Sequence, residues 1–175
     1  MKQVLNYNSA GSGSFGHLST ELLKSQGKFE MLHISYKGSA PGLNDVLGGT
    51  VPMIIGNLPT LLPHIQSGRL KALAVGASQR LPMLPDTPTF AEAGYPAFQA
   101  NPWLGMLFPK GTPKDIVDKL NKAMNAAFDK PEVKEAYAKL GAVAEHNTPA
   151  QFSSFIRSEV SNWAPVVKAS GAKVD

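Results

Sequence analysis

The densest set of groups able to hold a ligand is Ser9-Ala10-Gly11-Ser12-Gly13-Ser14-Phe15-Gly16, with three serines and three glycines in eight residues. Small residues let the backbone N–H groups at a helix N-terminus approach an anion, and the helix dipole favours that charge by about 0.3–1 kcal/mol. Serine hydroxyls at Ser9, Ser12 and Ser14 add donors. The same residue types also make ordinary capping turns, so a turn without a ligand is the competing reading. Gly11-x-Gly13-x-x-Gly16 formally matches the dinucleotide fingerprint. It raises the alternative of a Rossmann-like nicotinamide-dependent oxidoreductase. That fingerprint also needs an acidic residue closing the second strand to hold a ribose, and the chain there reads Ser35-Tyr36-Lys37-Gly38.

A second segment, Tyr36-Lys37-Gly38-Ser39-Ala40-Pro41, again places small residues between an apolar run and an expected helix. In a parallel sheet both turns lie at the carboxyl ends of strands, where open α/β sheets bind ligands. Lys37 could add positive charge there. Catalytic groupings do not appear. His17, His33, His64 and His146 have no second histidine at i+4, and His17 reads as a capping or packing residue in the first turn of its helix. Neither a Gly-x-Ser-x-Gly elbow nor a phosphate-binding Gly-Lys loop is present. We therefore expect no enzyme, no cofactor and no metal.

These turns need strands and helices to hold them. Gln3–Tyr7 reads as a strand, and 17–26 reads as a helix with a stripe of Leu18, Leu22 and Leu23, stopped by Gly27 as a left-handed cap. Strands are expected at 31–36, 51–55 and 70–77, and helices at 39–47 and 58–67. Ser39 would be an N-cap, and Gly48-Gly49 and Gly68 would be stops. Three prolines within 80–88 predict an extended loop, followed by a short helix over 89–93. Beyond Pro109-Lys110-Gly111-Thr112-Pro113 the pattern turns helical. Ile116, Leu120, Met124 and Phe128 form one stripe, and Phe152, Ile156, Val160 and Trp163 another. Thr148-Pro149 is a strong helix start, and Pro165 should end or kink that helix. The class is α/β, with a mixed or parallel sheet flanked by helices.

The whole-chain numbers narrow the field further. Of 175 residues, 43% are hydrophobic and 17% charged, and 17 Lys plus Arg face 13 Asp plus Glu for a net charge of +4. That is a globular composition with enough chain for a core, so disorder is excluded as the main state. The basic residues are scattered and do not interleave with aromatics, so no nucleic-acid partner is expected. The absence of cysteine excludes disulfides and thiolate chemistry. Met1-Lys2-Gln3-Val4-Leu5-Asn6 has no apolar run of signal-peptide length, so none is expected in this chain.

The motifs in series resemble a known family. Asn6 to Ser14 with His17-Leu18 and Glu21-Leu22, then Tyr36 to Pro41 with Leu47-Gly48-Gly49, are similar to two hallmarks of tripartite tricarboxylate transporter substrate-binding proteins, the Bug family. Asn57-Leu58-Pro59, Gly68 to Val75, Leu84 to Thr89, Glu92-Ala93-Gly94, Trp103-Leu104-Gly105 and Pro109 to Pro113 follow in order, so the resemblance covers nearly the whole chain. It implies a periplasmic, type II periplasmic-binding-protein-like molecule whose two lobes close on a small carboxylate and present it to membrane permease subunits. The chain starts almost at the first turn of lobe two, so it resembles the C-terminal part of a family member. Residues 1–103 would be substrate-binding lobe two, and 104–175 the crossover and C-terminal helices of an incomplete lobe one. The resemblance implies that Ser9, Ala10, Gly11, Ser12, Gly13 and Ser14 donate to one carboxylate, with Lys37, Gly38, Ser39 and Ala40 on the opposite wall. Ligands would be mono- or dicarboxylates, bound without catalysis. One departure is Gly56, where many relatives carry Asp. An incomplete lobe should expose apolar helix faces, and a homodimer is expected from that exposure.

Overall fold

The computed structural model describes residues 5–173. Strand β1 spans Leu5–Ser9 and pairs in parallel with β2, Met31–Ser35, in the register Leu5↔Met31 to Ser9↔Ser35. The expected first strand thus reaches two residues further, to Ser9, and its Gln3 and Val4 lie outside the described residues. Helix α1 is Phe15–Gly27, α2 Ser39–Leu47 and α3 Leu58–Gln66. Further on come α4, Lys114–Phe128, α5, Pro131–Lys139, and α6, Pro149–Ser170.

β1 is polar yet buried, and its neighbours explain why it is stable there. Tyr7 and Asn8 are fully buried. The Tyr7 hydroxyl donates to Glu21 of α1 at 2.7 Å, and the Asn8 side-chain amide donates to the Gly42 carbonyl of α2 at 2.7 Å. Adjacent strand residues point to opposite faces, so α1 and α2 cover opposite sides of the small sheet. A third segment touches β1 from the side away from β2. Asn8 N–H donates to Met53 O at 3.1 Å, with a single parallel bridge Asn8↔Ile54.

Two expected strands do not form as such. Residues 51–55 contribute that one bridge, and 70–77 contribute one parallel bridge between Val75 and Thr89. Val75 N–H donates to Pro88 O and Phe90 N–H to Val75 O, so a proline-bearing loop occupies the edge where a strand would pair. Val75 packs instead into an aliphatic cluster with Leu62 and Leu84, flanked by Leu58, Ile65 and Met83. Each such side chain contributes about 1.5–3 kcal/mol of burial. The expected helix at 89–93 is a hydrogen-bonded turn, in which Thr89 and Glu92 cap each other reciprocally.

Helix ends differ from expectation at several points. Gly27 is the last residue of α1, and Lys28 takes the left-handed position at φ 51°. A Cβ on Gly27 would lie 2.4 Å from the Phe29 ring, so glycine there provides room. Ser39 is the first residue of α2, and Gly38, at φ 102°, is its N-cap. At α6, Thr148 and Gln151 form a capping box ahead of Pro149. Pro165 does not end that helix, which continues to Ser170.

The described chain forms two compact units, Met1–Pro102 with Pro165–Asp175, and Trp103–Ala164. In the second unit Trp103 meets Phe152 edge-on at 5.7 Å, and Phe128 meets Tyr137 at 5.9 Å. No residue of this unit is fully buried. Leu120, Met124, Phe128, Phe152, Ile156 and Trp163 are half-buried, while Ile116 and Val160 are exposed.

Candidate functional site

The Ser/Gly turn begins where β1 ends, and hydrogen bonds hold its shape. The Ser9 hydroxyl, buried, donates to Gly11 O at 3.0 Å and accepts from Gly11 N–H at 3.2 Å. Ser14 N–H donates to Gly11 O, and Ser14 is the N-cap of α1, its hydroxyl accepting from His17 N–H. Gly13 N–H donates to His17 Nδ1 at 3.0 Å. Gly13, at φ 76°, occupies the left-handed region that glycine adopts without strain. The second turn is tied to the first, because Tyr36 N–H donates to Ser9 O and Gly38 N–H donates to Ala10 O at 2.9 Å. The Tyr36 hydroxyl donates to the Asp45 carboxylate of α2.

Beside these turns lies a cleft of about 170 Å³. Of the ten residues expected from sequence, Ala10, Ser14 and Ser39 line it. Gly11 and Gly13 shape the turn behind it, Gly38 caps α2, and Ser12, Lys37 and Ala40 are exposed. Phe15 and Gly16, at the end of the same turn, also line it; the sequence reading missed the rest: Ile54, Ile55 and Gly56, and Asn57, Thr60 and Leu61 at the start of α3. The available signal was Asn57-Leu58-Pro59, a third apolar run followed by a helix start. Gly16 explains why the third wall is so near: a Cβ there would sit 2.4 Å from the Ile55 carbonyl oxygen.

Three helices therefore begin at the cleft, and the first-turn amides of each lack intrahelical acceptors. The first turns of α1, α2 and α3 contain no acidic side chain, whereas α4 and α5 carry Asp115 and Glu132 in theirs. Their positive ends are left uncompensated, which suits an incoming anion. Ile54, Ile55 and Leu61 supply apolar surface for a carbon chain. None of the lining residues has an ionisable side chain, so the cleft can bind charge but has no acid or base to move a proton. Among the described residues no group of three or more His, Asp or Glu is placed to hold a metal, and no helix is long and apolar enough to cross a membrane.

A polar cluster lies behind the turn. His17 stacks on His33 with ring centroids 4.0 Å apart and planes 7° from parallel, and His33 stacks on Tyr7 at 5.0 Å. His33 Nε2 is 2.7 Å from the Ser9 hydroxyl. Burial holds the His33 imidazole down to about 4, with the neighbouring His17 acting in the same direction, and burial also lowers His17. Burial alone would raise Glu21, but hydrogen bonds from Lys24 and Tyr7 and the Lys24 charge outweigh it and keep the carboxylate ionised.

A family model described as the tripartite tricarboxylate transporter family receptor matches residues 2–172. Protein BugT of Bordetella pertussis is 44% identical over 162 residues, covering 93% of this chain and 50% of BugT. Among solved structures, R. palustris Rpa4515 with adipate superposes with a TM-score of 0.88 at 36% identity, over 96% of this chain and 56% of that one. MatC from Rhodopseudomonas palustris with bound malate gives 0.83 at 35% identity, over 93% and 56%. The chain spans about half the length of most of the curated relatives it matches. The matching family is described as a transporter receptor, and none of these matches supports the nicotinamide-dependent oxidoreductase raised by the glycine spacing.

Proposed function

The chain belongs to the tripartite tricarboxylate transporter receptor family, and from that membership we propose that it carries the carboxylate-receiving part of a periplasmic solute receptor. The cleft where three helices begin, free of ionisable side chains, carries this reading. One carboxylate would take the first-turn amides of α1 and the Ser14 hydroxyl. Ser12, Ser39 and the Ala40 amide would face it from the rim, and Lys37 would draw anions toward the turn. Ser9, Ala10, Gly11, Gly13 and Gly38 would act mainly through the backbone they shape. Three helix N-termini at about 0.3–1 kcal/mol each supply roughly 1–3 kcal/mol, one to two decades of affinity. Two neighbours hold linear dicarboxylates, adipate and malate, and Ile54, Ile55 and Leu61 would pack against the carbon chain of a similar ligand.

The unit Met1–Pro102 with Pro165–Asp175 would be lobe two of the receptor, and Trp103–Ala164 a part of lobe one. The loaded receptor would present its ligand to membrane permease subunits, with no turnover. Calorimetry of the full chain against adipate, malate and a nicotinamide nucleotide tests the reading. Saturable heat from a dicarboxylate, weakened at least tenfold by Gly13→Val, is expected. A β-branched residue at φ 76° would distort the turn. Heat from the nucleotide alone, or steady product formation, overturns it. Affinity of these 175 residues by themselves should be weak, since closure of a whole opposing lobe adds contacts and excludes water.

A further inference from the structure

The amides of Gly11 and Gly13 in the Ser/Gly turn are each held from behind by a side chain, and both side chains touch His33. Gly11 N–H is held by the Ser9 hydroxyl, which rests on His33 Nε2 at 2.7 Å. Gly13 N–H is held by His17 Nδ1. His17 and His33 come from different elements, α1 and β2, and lie face to face at 4.0 Å. Tyr7 of β1 closes the other face of His33. His17 is 5% exposed and lines no part of the cleft. Its Nδ1 can accept from Gly13 only while that nitrogen carries no proton, so the ring proton must sit on Nε2. The structure thus ties the turn to the sheet through an imidazole whose tautomer is dictated by a glycine amide four residues earlier.

We propose that His17 is a positioning residue, backed by the His33 ring, that holds Gly13 in its left-handed conformation and so sets the direction of the turn's remaining amides. The proposal rests on the reading of this turn as the carboxylate site, but its structural part can be read without any ligand. Asparagine places a carbonyl oxygen on Cγ where histidine places Nδ1, so it can accept from Gly13 without an imidazole. Leucine has similar bulk and no acceptor.

Three proteins decide it: the full chain, His17→Asn and His17→Leu. Nitrogen-15 spectra of the full chain at pH 7 should show His17 with an unprotonated Nδ1. Amide exchange at Gly13 should quicken about tenfold in His17→Leu, the loss of one part-buried hydrogen bond, and stay within about threefold in His17→Asn. Adipate affinity measured by calorimetry should fall in the same order, with far-UV circular dichroism unchanged. An Nδ1–H tautomer in the full chain overturns the proposal. So does Gly13 exchange in His17→Leu equal to that of the full chain, or an asparagine variant as impaired as the leucine one. If Gly13 exchange responds as stated while no dicarboxylate binds any of the three proteins, the positioning role of His17 stands and the carboxylate reading of the turn fails.

Discussion

Replacing Gly16 by alanine probes the closest backbone approach around the cleft. The new Cβ would lie 2.4 Å from the Ile55 carbonyl oxygen and 3.5 Å from Ser9 Cβ. Restoring ordinary contact requires α1 and the 54–56 segment to part by roughly 1 Å. That segment cannot swing away freely, because Met53 O accepts from Asn8 N–H and Ile54 bridges Asn8 across β1. Overpacking of this kind costs about 1–3 kcal/mol. Alanine recovers up to about 1 kcal/mol of helix propensity, less so near the helix start. The net expectation is a loss of about 1–2 kcal/mol. With a urea slope of about 1–3 kcal/mol/M, the unfolding midpoint falls by about 0.5–1 M. Gly42→Ala offers an internal comparison. Its Cβ would meet the Asn8 side chain at 3.2 Å, and that tight but less extreme contact should cost less than the one at Gly16. Urea unfolding followed by circular dichroism measures both. A Gly16→Ala midpoint equal to or above that of the parent refutes the close-approach argument and leaves glycine there without a steric reason.

Acid should weaken the fold through the stacked histidines. His33 is held at about 4 against an ordinary 6.5, so between these values the unfolded chain binds more protons and stability rises with pH. The contribution is complete above about 6.5 and is lost as pH falls through about 4. One such imidazole is worth at most about 3.4 kcal/mol, and partial solvent exposure screens this to about 1–2 kcal/mol. Urea midpoints at pH 7 and pH 4.5 should differ accordingly, and the double variant His17→Asn/His33→Gln should lose much of that difference; an unchanged difference refutes the assignment. The apolar surface of the Trp103–Ala164 unit predicts self-association. Leu104 is fully exposed, and Leu107, Val143 and Val160 are mostly so. Light scattering at micromolar concentration should give a dimer mass, and a monomer with little hydrophobic-dye binding would refute it.

Local chemistry was legible in the chain itself. The glycine turn after β1, the helix start at Thr148 and the stops after α2 and α3 depend on a few consecutive residues, and their spacing was sufficient to place them; the cap of α1 at Ser14, ahead of the helix start expected at His17, was not. The motif series was likewise enough to indicate the family that the comparison of residues 2–172 established. Tertiary structure decided the rest, because it depends on pairing between distant segments. Residues 51–55 and 70–77 have strand-like composition, yet hydrogen-bonding partners determine whether a strand forms, and each found a single bridge. The third wall of the cleft, from Ile54 to Leu61, exists because Gly16 lets α1 approach Ile55. His17 read as an ordinary capping or packing residue until β2 brought His33 against it from sixteen positions away. Burial of both rings, which lowers their proton affinity, follows from that contact and from the sheet, not from either residue's neighbours in sequence.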